Sequence, residues 1–155
     1  MNQKNANYIE YISDMNTSEL LPDVDRVLKF LTNNNQYITL GSASKNARPI
    51  LDKVKITGLF DAIVDGNDVS KAKPNPEVFL KAARLTKSKT KNCVVFEDSV
   101  AGIQAANAAG MISIGIGDST VLHEAQYNFK DFKVMSNDFL EQLINNHNIL
   151  WTKII

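Results

Sequence analysis

The chain has 155 residues, 44% of them hydrophobic and 22% charged, and its seventeen Lys and Arg balance seventeen Asp and Glu. That length suits one domain with a real core and is too short for two. A net charge of zero gives no global field to recruit nucleic acid or an anionic membrane, and no apolar run reaches membrane-spanning length.

The single cysteine, Cys93, cannot form an internal disulfide, in keeping with a reducing compartment. The polar N-terminus lacks the basic-then-apolar pattern of a secretory signal, so a cytoplasmic protein is expected. In chain order, Tyr8, Ile9 and Ile12 recur at near-helical spacing between Asn2 and Asp14. A second helix is predicted after Pro22, with Val24, Val27, Leu28 and Leu31 on one face and Asn33 to Asn35 ending it. Tyr37 to Leu40 is a short β-rich burst closed by Gly41, and reads as a strand. A helix follows from about Ala47 to Lys55, then a strand at Ala62 to Val64. The next pair is a helix from Asn75 or Pro76 to Leu85 and a strand from Cys93 to Phe96. A third pair is a helix from Val100 to Ala109, stopped by Gly110, and a strand from Ile112 to Ile116. A weaker strand near Phe132 to Met135 and a helix from Asn137 to about Asn146 finish the pattern. Strands alternating with helices predict an α/β fold, a doubly wound parallel sheet covered on both faces.

In such a sheet ligands bind beyond the carboxyl ends of the strands. Three polar loops lie there. The first, Gly41-Ser42-Ala43-Ser44-Lys45-Asn46, joins small residues, two hydroxyls, a lysine and an amide ahead of a helix, a composition suited to phosphate. Serine before a helix is also an ordinary cap. The second runs from Asp65 to Pro76. Its Lys73 precedes a proline, which biases the backbone toward an extended form and can fix where the ammonium points. A solvated loop lysine is the plainer alternative. The Asp65-Gly66-Asn67-Asp68 stretch resembles a calcium loop only superficially. The third places Glu97 and Asp98 side by side at a strand end, a crowding of carboxylates that a hard cation such as magnesium relieves. An Asp98 cap beside an exposed glutamate is the plainer alternative there. His123 and His147 have no ligand-like spacing, and Gly115-Ile116-Gly117 lacks the rest of a dinucleotide fingerprint.

Taken in order, SASKN, KPNPEVF and FEDSVAGIQAANAAG resemble the second, third and fourth motifs of the haloacid dehalogenase superfamily, most closely its β-phosphoglucomutase-like branch. The resemblance implies a HAD-like Rossmannoid core in residues 21–155 and a remnant of the helical cap domain in residues 1–20. It also implies roles. Ser42 and the Ala43 amide would hold the transferring phosphoryl group, and Lys73 would neutralise it. Asp98 would bind magnesium, with Glu97 in or beside the shell. Ser44, Lys45 and Asn46 would grip the non-reacting phosphate of a phosphorylated sugar, and Lys4 would reach the substrate from the cap. Positioning, a metal and a positive clamp are what phosphoryl transfer needs.

The family's nucleophile sits in a D-x-D-G motif after an apolar first strand. The only D-x-D here is Asp23-Val24-Asp25, which follows Leu20-Leu21-Pro22 and precedes Arg26, so it is read as the start of a helix, with a capping role for Asp23. The first, central strand and most of the cap are therefore expected to be missing, leaving an unpaired gap between the strands near Leu40 and Phe96. Three readings follow. The chain is a mutase fragment inactive alone, a sugar-phosphate phosphatase fragment, or a non-catalytic phosphate-binding module. Some other element must fill the gap, or the domain should be poorly stable; a separately encoded N-terminal piece or self-association would meet it.

Overall fold

The computed structural model describes residues 20–147 and 150–152. The expected helix between Asn2 and Asp14, the cap remnant up to residue 19 and Lys4 lie outside the described residues. Among the described residues, six strands, β1 (Ile38–Gly41), β2 (Ala62–Val64), β3 (Cys93–Glu97), β4 (Ile112–Ile116), β5 (Tyr127–Phe129) and β6 (Leu150–Thr152), are interleaved with five helices. The helices are α1 (Val24–Asn33), α2 (Ala47–Lys53), α3 (Glu77–Leu85), α4 (Val100–Ala108) and α5 (Asn137–His147). The strands form one sheet in the order β2-β1-β6-β3-β4-β5, and every neighbouring pair is parallel.

Strand periodicity explains the layering. Successive side chains on β3 point to opposite faces. Val94 and Phe96 join the core beneath α1 and α5, with Leu28, Leu31, Leu140 and Leu143. Cys93 and Val95 join the core beneath α3 and α4, with Phe79, Ala82, Ala105 and Ala106. Because both faces are covered, the strand reads as an unbroken apolar run. Helix α1 buries Val24, Val27, Leu28 and Leu31, the stripe its spacing requires. It is tied down by Arg26, which donates to the Phe132 and Met135 carbonyls at 2.8 and 2.7 Å and to Asn137 Oδ1 at 2.5 Å.

Three expectations are corrected. First, Phe132 to Met135 is not a strand. Phe132–Val134 forms a 3₁₀ turn, and the strand is Tyr127–Phe129. Phe132 and Met135 are buried while Lys133 and Val134 are exposed, a spacing of three that suits a 3₁₀ turn. Asp131 stabilises it by accepting from the Lys133 and Val134 amides. Second, Asp23 makes no capping hydrogen bond, and its carboxylate accepts from Arg26 Nε at 2.7 Å instead. Third, the gap between β1 and β3 is filled. The C-terminal Leu150–Thr152 lies between them, pairing Ile38 with Trp151 and Thr39 with Thr152 on one side, and Cys93, Val94 and Val95 with Leu150, Trp151 and Thr152 on the other. The sheet is continuous because the last of the described strands takes the place between β1 and β3.

Candidate phosphate site

Three loops converge at the carboxyl edge of the sheet. The chain leaves β1 at Gly41 and turns immediately. Ser42 Oγ accepts from the Ser44 amide at 3.1 Å, and Ser44 Oγ from the Asn46 amide at 3.1 Å. One of the two lone pairs on Ser42 Oγ is thereby engaged, and its hydroxyl proton can be donated to a ligand. The second loop braces the first. The Gly66 amide donates to the Ser44 carbonyl at 3.1 Å and Asn67 Nδ2 to the Lys45 carbonyl at 2.9 Å. A Cβ at Gly66 would lie 2.6 Å from the Ala43 carbonyl oxygen, so only glycine allows this approach.

Arg48, in the first turn of α2, locks the two loops together. Its guanidinium pairs with the buried Asp65 carboxylate and reaches Asp68 Oδ2 at 3.1 Å and the Ile63 carbonyl at 3.0 Å. The acidic DGND stretch is thus an arginine-held brace, in line with the weakness of its likeness to a calcium loop. Asp68 is held below the usual carboxylate range by the hydrogen bond from the Asp65 amide, and then by Arg48. Arg48 is raised in turn by its hydrogen bond to Asp68.

Lys73 comes from the same second loop. Its ammonium donates to Glu97 Oε1 at 2.5 Å and to the Gly41 carbonyl at 3.0 Å, and lies 4.6 Å from the centre of the Phe79 ring. Both partners of the ion pair are deeply buried, with side-chain exposures of 7% and 0%. A buried ion pair resists rotation of either member, because breaking it leaves an uncompensated charge. The other Glu97 oxygen accepts from Ser99 Oγ at 2.9 Å, and Ser99 in turn accepts from the Gly102 amide at 3.1 Å. Ser99, not Asp98, is the N-cap of α4. A side chain at Gly102 would overlap the Glu97 carboxylate, so this glycine makes room for the acid.

Ser42, Ala43, Lys45 and Lys73 line one cavity of about 270 Å³, together with Gly66, Val69, Ser70 and Lys71. Ser44 and Asn46, expected to grip a second phosphate, are not among the residues lining this cavity, and Ser44 Oγ accepts from the Asn46 amide. Asp98 follows Glu97 at the end of β3 and is exposed. Magnesium takes six oxygen ligands, usually one or two carboxylates with water and phosphate. Both Glu97 oxygens are engaged by Lys73 and Ser99, and no group of three His, Cys, Asp or Glu side chains forms a metal cluster among the described residues. The described residues alone do not make a complete magnesium site.

Arg48, Ser99, Gly102 and Phe79 also shape the site, without a local pattern that assigns them a role. Gly102, three residues after a serine at a helix start, was the available signal for a close approach. Arg48 lies one turn into a helix, and nothing local announces its partners.

A model of the family described as haloacid dehalogenase-like hydrolase matches residues 2–110. The β-phosphoglucomutase of Bacillus subtilis is 41% identical over 117 residues, 76% of this chain and 52% of that protein. The fructose-1-phosphate phosphatase of Escherichia coli is 36% identical over 102 residues, 66% of this chain and 54% of that protein. A β-phosphoglucomutase structure from Clostridium difficile superposes with a TM-score of 0.87 at 32% identity, covering 94% of this chain and 65% of that one. The chain thus spans about half the length of these two curated relatives. With the family model covering most of the chain, and with the parallel sheet and its loops in place, the chain belongs to the haloacid dehalogenase-like hydrolase family.

Proposed function

We propose that this chain is the phosphate-holding core of a β-phosphoglucomutase-like sugar phosphomutase, which converts β-glucose 1-phosphate to glucose 6-phosphate through a bisphosphate. The observation that carries the reading is the convergence of Ser42 and a Glu97-anchored Lys73 on one cavity at adjacent strand ends. Lys73 sets a positive charge against the equatorial oxygens of the phosphoryl group, and Ser42 donates a hydrogen bond to the same group. Positioning and charge neutralisation are the main tasks of a protein in phosphoryl transfer. Glu97 acts through Lys73, holding the ammonium in place. The similarity to the Bacillus subtilis mutase supports this reading. Asp98 would be the residue to hold magnesium, and a bound ion would add to the neutralisation of the phosphoryl oxygens.

The sequence contains no D-x-D-G, and none of Ser42, Lys73 and Asp98 is the carboxylate nucleophile of this chemistry. The chain alone is therefore expected to give no turnover. A partner carrying an apolar strand followed by D-x-D-G would supply the nucleophile, and it would have to displace Leu150–Thr152 to pair between β1 and β3. The similarity to a fructose-1-phosphate phosphatase favours a second reading, hydrolysis of a sugar phosphate by the same core. One experiment tests both. The chain is incubated with β-glucose 1-phosphate, glucose 1,6-bisphosphate and magnesium, with and without a peptide bearing the strand and D-x-D-G. Glucose 6-phosphate formed only with the peptide supports the mutase reading, and phosphate release alone supports the phosphatase. Turnover by the chain alone that vanishes in Asp98→Ala would contradict the need for that nucleophile.

A further inference from the structure

We infer that Arg48, which does not line the cavity, is a positioning residue that sets the affinity of the cavity for phosphate by holding the Asp65–Asp68 turn. The inference rests on the phosphate reading above and gives ligand binding a residue that reading does not use. The turn poses two problems for an anion site. It carries two carboxylates, yet its Gly66 and the adjacent Val69 line the cavity. Carboxylates at that range repel a phosphate, and salt screens a buried charge such as that of Asp65 only weakly. The turn also leads directly into the segment that ends at Lys73, so its placement governs how the two sides of the cavity meet.

Arg48 answers both problems with one planar group. One guanidinium nitrogen pairs with Asp65, and the other reaches Asp68 Oδ2 at 3.1 Å and the Ile63 carbonyl at 3.0 Å. A fixed fork can meet both carboxylates at once, which the point charge of a lysine does not reproduce. The path from there to the ligand loop is short. Asp65 Oδ1 accepts from the Asn67 amide at 2.8 Å, and Asn67 Nδ2 donates to the Lys45 carbonyl at 2.9 Å. Asp68 Oδ2 also accepts from the Asp65 amide at 2.9 Å, beside Gly66, whose amide meets the Ser44 carbonyl at 3.1 Å. Lys81 of α3 secures the far end of the turn by donating to the Asp68 carbonyl at 2.7 Å. Removing the guanidinium therefore frees the turn from α2 and leaves a buried carboxylate uncompensated beside the cavity. The first effect misplaces the loop that carries Ser42 and Lys45, and the second repels the ligand.

The test is calorimetric titration of the whole chain with inorganic phosphate, paired with thermal unfolding. The variants are Arg48→Ala, Arg48→Lys, and Arg48→Ala combined with Asp65→Asn. Arg48→Ala should weaken phosphate binding about tenfold, the scale of one charge-assisted hydrogen bond. The combined variant removes the stranded charge, so it should regain most of the lost stability and only part of the lost affinity. It also decides the case should Arg48→Ala fail to fold. Arg48→Lys, which keeps the charge and loses the fork, should likewise regain affinity only in part. If the combined variant regains affinity together with stability, or Arg48→Lys binds phosphate as the unsubstituted chain does, the positioning role is refuted and the phosphate reading stands. Undiminished binding by Arg48→Ala refutes it equally. If the unsubstituted chain takes up no phosphate, both are refuted.

Discussion

Replacing Trp151 by proline probes the least anticipated feature of the fold, a C-terminal strand at the centre of the sheet. Trp151 pairs with Ile38 of β1 and Val94 of β3. Proline removes the backbone donor and leaves an acceptor on a neighbouring strand unpaired in the interior. A lost ladder bond costs about 0.5–1.5 kcal/mol and an unsatisfied buried group about 1–3 kcal/mol, so the change should cost about 2–4 kcal/mol. A domain has only about 5–15 kcal/mol in total. At about 2–4 °C per kcal/mol for a chain of this size, Tm should fall by about 5–15 °C. Thermal unfolding followed by circular dichroism gives the answer, with Val134→Ser, at a 58% exposed position, as the neutral control. A Trp151→Pro chain that melts with the control would refute the placement of β6. Deleting residues 148–155 should be harsher and abolish the cooperative transition.

Three further outcomes are expected. Gly102→Ala should press on Glu97 and through it on Lys73, costing about 1–3 kcal/mol by overpacking and weakening phosphate binding more than a substitution at exposed Val134. Arg48→Ala should strip the buried Asp65 of its cation at a cost of about 1–3 kcal/mol. It should also change the acid limb of stability. Because the folded Asp68 carboxyl is depressed, its contribution is present at neutral pH and is lost as pH falls below about 4, and Arg48→Ala or Asp68→Asn should flatten that loss. The buried Cys93 thiol, pushed by burial up to about 11, should resist a disulfide reagent at pH 8 until the chain is unfolded. Labelling of the native protein at the rate of a free thiol would contradict the burial.

Much of the architecture was legible because its signals are local. The stripe Val24, Val27, Leu28 and Leu31 marks α1 directly, and the apolar runs at 62–64, 93–96 and 112–116 mark three strands. The site was legible as loops at strand ends, since a parallel sheet sends those ends to one edge. What escaped depends on distance in the chain. Lys73 and Glu97 are 24 residues apart, Arg48 and Asp65 are 17 apart, and no spacing rule joins them. The strand at Leu150–Thr152 lies in Ile149-Leu150-Trp151-Thr152, a run rich in β-branched and aromatic residues. Its three residues follow a helix at the end of the alternating pattern, too short a run to stand out as a strand. At Phe132 to Met135 the difference is one of period, since two buried residues three apart suit a 3₁₀ turn and not a strand.

The central claim is that the cavity bounded by Ser42, Lys45 and Lys73 holds a phosphoryl group. Amide NMR of the labelled chain, titrated with inorganic phosphate, tests it most directly. The Ser42, Ala43, Lys45 and Lys73 amides should shift together along one saturable curve, and Lys73→Met should abolish that response. Shifts confined to other surfaces, or a full response in Lys73→Met, would contradict the claim.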